Sequence, residues 1–280
     1  MIGRMLSADL YRLGKQKSTW IIPLATFAIV FALGCLYGLI YGNASWLDGI
    51  HKSMIDSMNS VDGSGNMAGL FNIGVTSLAE YVVFIYQTQE VNFSVVAIII
   101  FASMYVSAVK RNGYAKNVAS QYNTFPYNFS QATVLLVYSA LLTFLTFGAN
   151  VAAASIFFEG IEPGNFVSAT LLFAVIALLH WAACLMIVLI CDLFKNTTIG
   201  IVVGCLYTGF FGALLYAGIN ALIGLIAETD FRINHLFPFA FSLVIKYDDT
   251  WSYVYGAALA VVWAVLFFVL KPLVRKKDIA

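Results

Sequence analysis

Charge is scarce in this sequence. Asp, Glu, Lys and Arg make up 10% of the 280 residues, whereas hydrophobic side chains make up 61%. Soluble domains carry about 25% charged and 45–50% apolar residues. The composition therefore excludes an ordinary soluble globular domain and favours a chain that lies largely in a membrane.

Cysteine is also rare, and several catalytic motifs are missing. Cys35, Cys184, Cys191 and Cys205 all fall in apolar runs, without metal-finger spacing, so small core residues are expected and no metal site. The sequence has no Walker A loop, no zinc-protease motif and no Ser-elbow signature. We therefore expect no catalytic residue and no cofactor in this chain, and no nucleotide hydrolysis by the chain alone.

Six apolar runs are long enough to cross a bilayer, which takes about 20 residues in a helix. We predict an all-α membrane protein with a single transmembrane domain over 1–280. The predicted spans are 20–41, 91–109, 131–158, 166–191, 198–227 and 251–270. The first 17 residues are too polar for a cleavable signal peptide, and the first apolar run is of spanning length.

Basic residues are sorted between the gaps that separate these runs. The N-terminal segment, the second gap, the fourth gap and the C-terminal tail hold 12 of the 15 basic residues. Cytoplasmic loops retain Lys and Arg because positive charge resists translocation. The pattern predicts a multi-pass membrane protein with both termini in the cytoplasm.

Residues 1–17 have apolar side chains at helical spacing with basic residues beside them. Leu6 and Leu10 belong to the apolar stripe, and Arg4 and Arg12 to the polar side. This predicts an amphipathic helix that lies on the membrane surface. The alternative is a basic flank that only orients the first span.

Small residues recur every four positions in the first span, at Gly34, Gly38 and Gly42. Such spacing lets a second helix approach closely, within one subunit or between two. The general abundance of glycine in membrane helices is an equally good explanation.

The following segment, 42–90, is a large outer loop whose last part is apolar enough to dip into the membrane.

His180 is the one ionisable residue deep inside a predicted span. Such residues are costly in hydrocarbon and are functional candidates by default. Three roles remain open to His180: a neutral structural residue, a residue of a substrate path, or a metal ligand. Glu80 and Glu90 are placed at the outer interface, where they could also line a path.

Residues 110–126 form a basic polar segment after the second span. The segment is a solvated loop or a docking element for a cytoplasmic partner. Its candidate docking residues are Lys110, Arg111, Asn112, Gly113, Tyr114, Lys116 and Asn117. We expect Phe125-Pro126 to stop a helix there.

Three motifs in this order carry a family resemblance. Leu6 to Leu13 opens the chain, Asn112-Gly113-Tyr114-Ala115-Lys116-Asn117 follows the second span with Pro126 after it, and Arg275 to Ile279 is a terminal basic-Asp-Ile run. Together with six spans, they resemble the membrane subunits of type-2 ABC exporters, in the antimicrobial-peptide and bacteriocin-immunity branch. Tyr114 stands where that family usually has Thr.

The resemblance implies a permease of an ATP-driven exporter. Two cytoplasmic ABC ATPase subunits would bind ATP and Mg²⁺ and dock on the segment 110–126. A second permease copy or paralogue and the lipid bilayer would be the other partners, with no nucleic acid. The substrate would be an amphipathic or apolar molecule such as an antimicrobial peptide or a drug.

Other functions stay open at this point. The chain could belong to a polysaccharide, lipid or ion exporter of the same transporter class. It could be an intramembrane enzyme that uses His180 and the outer carboxylates. It could also be a channel or scaffold without an energy source.

Overall fold

A computed structural model of the chain describes residues 2–50, 52, 77–87, 91–111, 124–207, 209–227 and 232–276. These residues are almost entirely helical and include no strand, only an isolated bridge between Ser77 and Glu162. Ten α-helices are assigned within them. They are α1 Ile2–Lys15, α2 Lys17–Tyr41, α3 Leu78–Ile85, α4 Val91–Arg111, α5 Thr124–Phe157, α6 Phe166–Leu193, α7 Thr197–Tyr207, α8 Gly209–Ala227, α9 Pro238–Ser242 and α10 Thr250–Lys276.

Four of these helices are long and apolar enough to cross a membrane: α2, α5, α6 and α10. This fits an all-α membrane protein. The predicted second span is occupied by α4, and the predicted fifth span by two helices, α7 and α8. Within the described residues, the apolar parts of α4, α7 and α8 are shorter than those of α2, α5, α6 and α10. Six spans therefore stay a prediction.

The centre of the bundle is formed by α5 and α6. Helix α6 packs against α4, α5, α7, α9 and α10, and 72% of its most apolar stretch is buried, against 28% for α2 and for α10. Helix α5 packs against α1, α2, α4, α6 and α10. Among the described helices, α6 contributes the most buried apolar side chains to the core, and α4 and α5 come next, with α2 and α10 on the flanks.

Helix α5 begins earlier than the predicted third span. It starts at Thr124 and carries Pro126 in its first turn. Proline is tolerated there because first-turn N–H groups have no intrahelical acceptor. The expected stop at Phe125-Pro126 is therefore the start of a helix. With 34 residues, α5 is about 51 Å long and can extend past a hydrocarbon layer about 30 Å thick.

Contacts between the described helices define two ends of the bundle. One, which we call the basic end, holds α1, the start of α5 and the ends of α6 and α10. The other, the acidic end, holds the end of α2, the 158–166 turn and the start of α10. Contacts such as Asn43 Nδ2 to the Glu159 carbonyl, at 3.2 Å, hold the acidic end together.

Asn165 organises much of the acidic end. Its Oδ1 accepts from the Ser168 N–H and caps α6, and its Nδ2 donates to Asp248 at 2.9 Å. Tyr247 donates its hydroxyl to the Asn165 carbonyl at 3.0 Å. Partial burial, and then the nearby Asp248 carboxylate, raise the pKa of the Tyr247 phenol. One amide side chain and its backbone thus connect the start of α6 to the segment before α10.

Asp249 caps the start of α10 in a similar way. Its Oδ1 accepts from the Trp251 N–H at 3.1 Å, and its Oδ2 accepts from the Ser252 hydroxyl at 2.8 Å. These hydrogen bonds, the one from Ser252 first, lower the pKa of the Asp249 carboxyl group. The carboxylate therefore stays ionised where a negative charge favours a helix N-terminus.

Two short helices enter the bundle from the acidic end. In α3, Tyr81, Val82 and Ile85 are fully buried, and the backbone N–H of Leu78 donates to the Glu162 carbonyl at 2.8 Å. Helix α9 is also buried, and Gln87 Nε2 links the two segments by donating to the Ile245 carbonyl at 2.7 Å. Residues 78–87 near the end of the 42–90 loop are thus part of the bundle interior, and the expected dip into the membrane stays a prediction.

The three glycines of the first span lie where α2 packs against α5. A Cβ atom added at Gly38 would come within 2.5 Å of the Phe157 ring, and one at Gly34 within 2.9 Å of the Ala153 methyl group. One at Gly42 would collide with the backbone carbonyl of Phe157. These small residues therefore serve a close helix contact within the chain.

Gly38→Ala is expected to destabilise the protein, because the new methyl group meets the Cβ and Cγ atoms of Phe157, which cannot swing away. Overpacking of this kind costs about 1–3 kcal/mol. Thermal unfolding of the purified protein measures the effect. Gly148→Ala is the matched control, since nothing lies within 4 Å of its added Cβ. Equal melting temperatures for both variants would contradict the close contact.

Candidate functional site

Most of the predicted docking residues lie outside the described part of the chain. This holds for Asn112, Gly113, Tyr114, Lys116 and Asn117, and also for Glu90. Lys110 and Arg111 are the last two residues of α4. The described chain resumes at Thr124, the first residue of α5. The predicted docking segment is therefore bounded by the end of α4 and the start of α5.

Helix α1 packs on the start of α5 at the basic end. Met5, Asp9 and Leu13, four residues apart, form its buried face. Arg4 and Leu10 are exposed, and Leu6 and Arg12 are half-buried. The apolar stripe thus meets the bundle on one side and leaves Leu10 uncovered on the other, as suits a helix at a membrane interface.

A buried carboxylate fixes α1 to α5. Asp9 is 2% exposed, and its Oδ2 accepts a hydrogen bond of 2.6 Å from the Ser130 hydroxyl. Its Oδ1 lies 3.5 Å from the Arg12 guanidinium one turn later in α1. Hydrogen bonds to a charged group are the stronger ones, at about 1.5–3 kcal/mol each. The position of α1 is therefore tied to the second turn of α5.

His180 lies in a closed polar cluster in the interior. It is fully buried, with Nδ1 at 3.0 Å from the Thr143 hydroxyl and Nε2 at 3.2 Å from the Tyr86 hydroxyl. Both ring nitrogens are thus engaged by protein groups. The cluster joins α6 to α5 and to the residue that follows α3. This geometry favours the structural role among the three that the sequence left open.

The residues of the predicted substrate path are not assembled into one site by these contacts. Glu80 lies in the first turn of α3, at the acidic end, where its backbone N–H donates to the Ser77 hydroxyl. Tyr86, which contacts His180, directly follows the other end of α3. Among the described residues there is no group of three or more His, Cys, Asp and Glu side chains placed to hold a metal ion.

Sequence reasoning missed two buried polar residues that connect the helices at the basic end. From the sequence alone, Asp9 belongs to the polar side of α1 and Lys271 to the charges of the C-terminal tail. Both are buried in the structure, with 2% of each exposed. One signal was available: Asp9 falls between Met5 and Leu13 at four-residue spacing, so it shares their helical face.

Compared with known proteins, the chain matches no family model and no curated protein. The helices of the described residues support the class of an all-α membrane protein. Any particular transporter family is therefore a proposal, which depends on the sequence motifs and on the contacts at the basic end.

Thr143→Val should destabilise the protein because it removes the hydrogen-bond partner of a buried histidine nitrogen. A buried polar group left unpaired costs about 1–3 kcal/mol. Thr133→Val is the matched control on the same helix, since the Thr133 hydroxyl bonds only the Phe129 carbonyl of its own helix in the described contacts. Thermal unfolding compares the two variants. If both unfold at the wild-type temperature, the cluster does not hold α5 and α6 together.

Proposed function

We propose that this chain is the membrane-spanning permease subunit of an ATP-driven ABC exporter. Two separate ATPase subunits bind ATP and Mg²⁺ and dock on the segment 110–126 at the basic end. In this proposal α4 is the second span and α7 with α8 the fifth. Six spans then place both termini in the cytoplasm of a bacterium, where the excess of Lys and Arg belongs.

The observation that carries the proposal is the attachment of α1 beside the predicted docking segment. Asp9 bonds Ser130, in the second turn of the helix that begins where that segment ends. A partner that moves this segment would therefore move α5 and α1 as one unit. Because α5 also packs against α2, α4, α6 and α10, the movement would reach the other three long apolar helices and α4.

In this proposal, transport requires that the same helices alternate between two packing arrangements. Differential binding of nucleotide states by the ATPase supplies the energy, because a ligand shifts an equilibrium only by its differential affinity. Rigid-body movement of α5 would transmit this binding energy to the membrane-spanning helices. The permease needs no catalytic residue for this, which agrees with the engagement of both His180 nitrogens by neighbouring side chains.

The substrate in this proposal is amphipathic or apolar. Within the described chain, and apart from Lys271, the buried polar residues of the four long apolar helices are neutral hydroxyls, amides and the bonded His180. They therefore form no row of charges, whereas an ion conductor would need such a row or a set of free carbonyl groups. Antimicrobial peptides and drugs fit best, and a lipid or polysaccharide is the alternative within the same transporter class.

A second permease copy must use a surface other than the Gly34, Gly38 and Gly42 face, because α5 covers that face. Exposed apolar side chains remain on α8 and α10. They include Leu222, Leu225, Val261 and Val265. Lipid or a second copy would cover them in a membrane.

Assembly with an ATPase is the decisive test of the proposed function. Affinity purification from the native host in mild detergent should retain an ABC ATPase and yield ATP hydrolysis. Gly113→Pro and Lys116→Glu should each lower the retained ATPase or its activity severalfold, because they distort or reverse the charge of the docking segment. Membrane insertion should survive.

The control for this experiment is Lys246→Glu, the same charge reversal at an exposed residue of the acidic end. It should leave assembly unchanged. If the wild-type protein retains no ATPase, the exporter proposal is wrong, and a channel or scaffold becomes the better account. If it retains one and both segment variants behave like wild type, docking occurs elsewhere.

Ser130→Ala should weaken the attachment of α1, because Asp9 loses a hydrogen bond to its buried carboxylate. We expect a loss of about 1–3 kcal/mol in unfolding free energy and a lower ATP hydrolysis rate of the assembled complex. Ser155→Ala is the control on the same helix, since the Ser155 hydroxyl is exposed and bonds the Ala152 carbonyl. Unchanged hydrolysis in Ser130→Ala would show that α1 does not support coupling.

A further inference from the structure

A buried lysine joins three helices at the basic end. Lys271 of α10 is 2% exposed, and its Nζ lies 3.6 Å from the Asp192 carboxylate at the end of α6. It also donates a hydrogen bond to Gln131 Oε1 of α5. The ammonium group lies 4.7 Å from the ring centroid of Phe267 and 5.5 Å from that of Tyr127.

Stability alone does not explain this arrangement. Burying a charge in a low-dielectric interior is costly, and well-packed apolar residues in place of a buried ion pair are often neutral or stabilising. A buried pair does select one arrangement of the helices that carry it, because each charge left without its partner is strongly unfavourable. Asp192 is 21% exposed and lies at the end of α6, so the pair is open to the protein surface on one side.

The lysine cluster is continuous with the attachment of α1. Ser130, which bonds Asp9, and Gln131, which bonds Lys271, are consecutive residues of α5. Because they belong to one rigid helix, any displacement of the start of α5 acts on both contacts. The two adjacent side chains therefore connect α1 on one side with α10 and α6 on the other.

We propose that Lys271, Asp192 and Gln131 form a latch that the ATPase opens and closes through α5. In the closed state they hold the basic ends of α5, α6 and α10 together, as in this structure. Movement of the docking segment displaces Gln131, the ion pair separates as water enters from the Asp192 side, and the three helix ends part. These three are positioning residues, and the inference rests on the proposed function.

An apolar version of the latch separates this role from a purely structural one. The triple variant Lys271→Met, Asp192→Leu, Gln131→Leu removes both charges and the amide of these three side chains together, so none of the three is left without the other two. We expect it to melt at or above the wild-type temperature and to retain the ATPase. Its ATP hydrolysis should fall by at least about tenfold, because apolar contacts do not open when water enters.

Two controls accompany the triple variant. Lys17→Met removes a positive charge from an exposed position of the basic end and should hydrolyse ATP like wild type. Lys271→Arg is a conservative single substitution in the wild-type protein. It keeps the charge and the hydrogen-bond donors, so it should retain most of the ATP hydrolysis activity.

Each outcome decides between the alternatives. Wild-type hydrolysis in the triple variant would refute the latch and leave the exporter proposal intact. A triple variant that melts well below wild type would also refute it, because the cluster would then be a structural brace. Failure of the wild-type protein itself to retain an ATPase would refute the exporter proposal and the latch with it.

Discussion

The buried polar face of α5 is the constraint on which the rest of the structure depends. Hydrocarbon offers no hydrogen-bond partners, so buried polar side chains in the bundle are stabilised by pairing with protein groups, several of them on neighbouring helices. Ser130 finds Asp9 on α1, Gln131 finds Lys271 on α10, and Thr143 finds His180 on α6. Thr146 donates to the Leu142 carbonyl and therefore accepts from Ser94 on α4.

These pairs differ from ordinary core contacts in one respect that bears on function. A hydrogen bond to a buried partner fixes the register of two helices, because a displaced partner leaves a buried polar group unpaired. At the basic end the pairs involve charged groups and lie in the first two turns of α5, the helix that follows the predicted docking segment in sequence. In the interior they are neutral and closed, as around His180. The same helix thus combines interior pairs such as Thr143 with His180 and an end where the pairs involve charged groups. Two polar groups of α5, Asn128 Oδ1 and the Tyr138 hydroxyl, have no hydrogen-bond partner in the described chain.

The sequence predicts much of the fold because membrane helices leave strong patterns. Apolar runs indicate the long helices α2, α5, α6 and α10, and the spacing of Met5, Leu6 and Leu10 predicts a helix near the N-terminus. The expected stop at Pro126 is wrong because proline is compatible with both the end of one helix and the first turn of the next. The site could be predicted only in part. Pairs such as Asp9 with Ser130, or Lys271 with Asp192, join residues distant in sequence, and one-dimensional periodicity carries no information about which helices become neighbours.

Hydrogen exchange of the protein in lipid nanodiscs tests the role of the α5 polar face most directly. The comparison is between the wild-type protein and a variant with Ser130→Ala and Thr146→Val, which lacks one pair to α1 and one to α4. We predict faster amide exchange in α1 and α4, and unchanged exchange in α8, which contacts α7 and the 233–236 turn. Equal exchange in α1 and α4 for both proteins would contradict the claim that these pairs hold the bundle together.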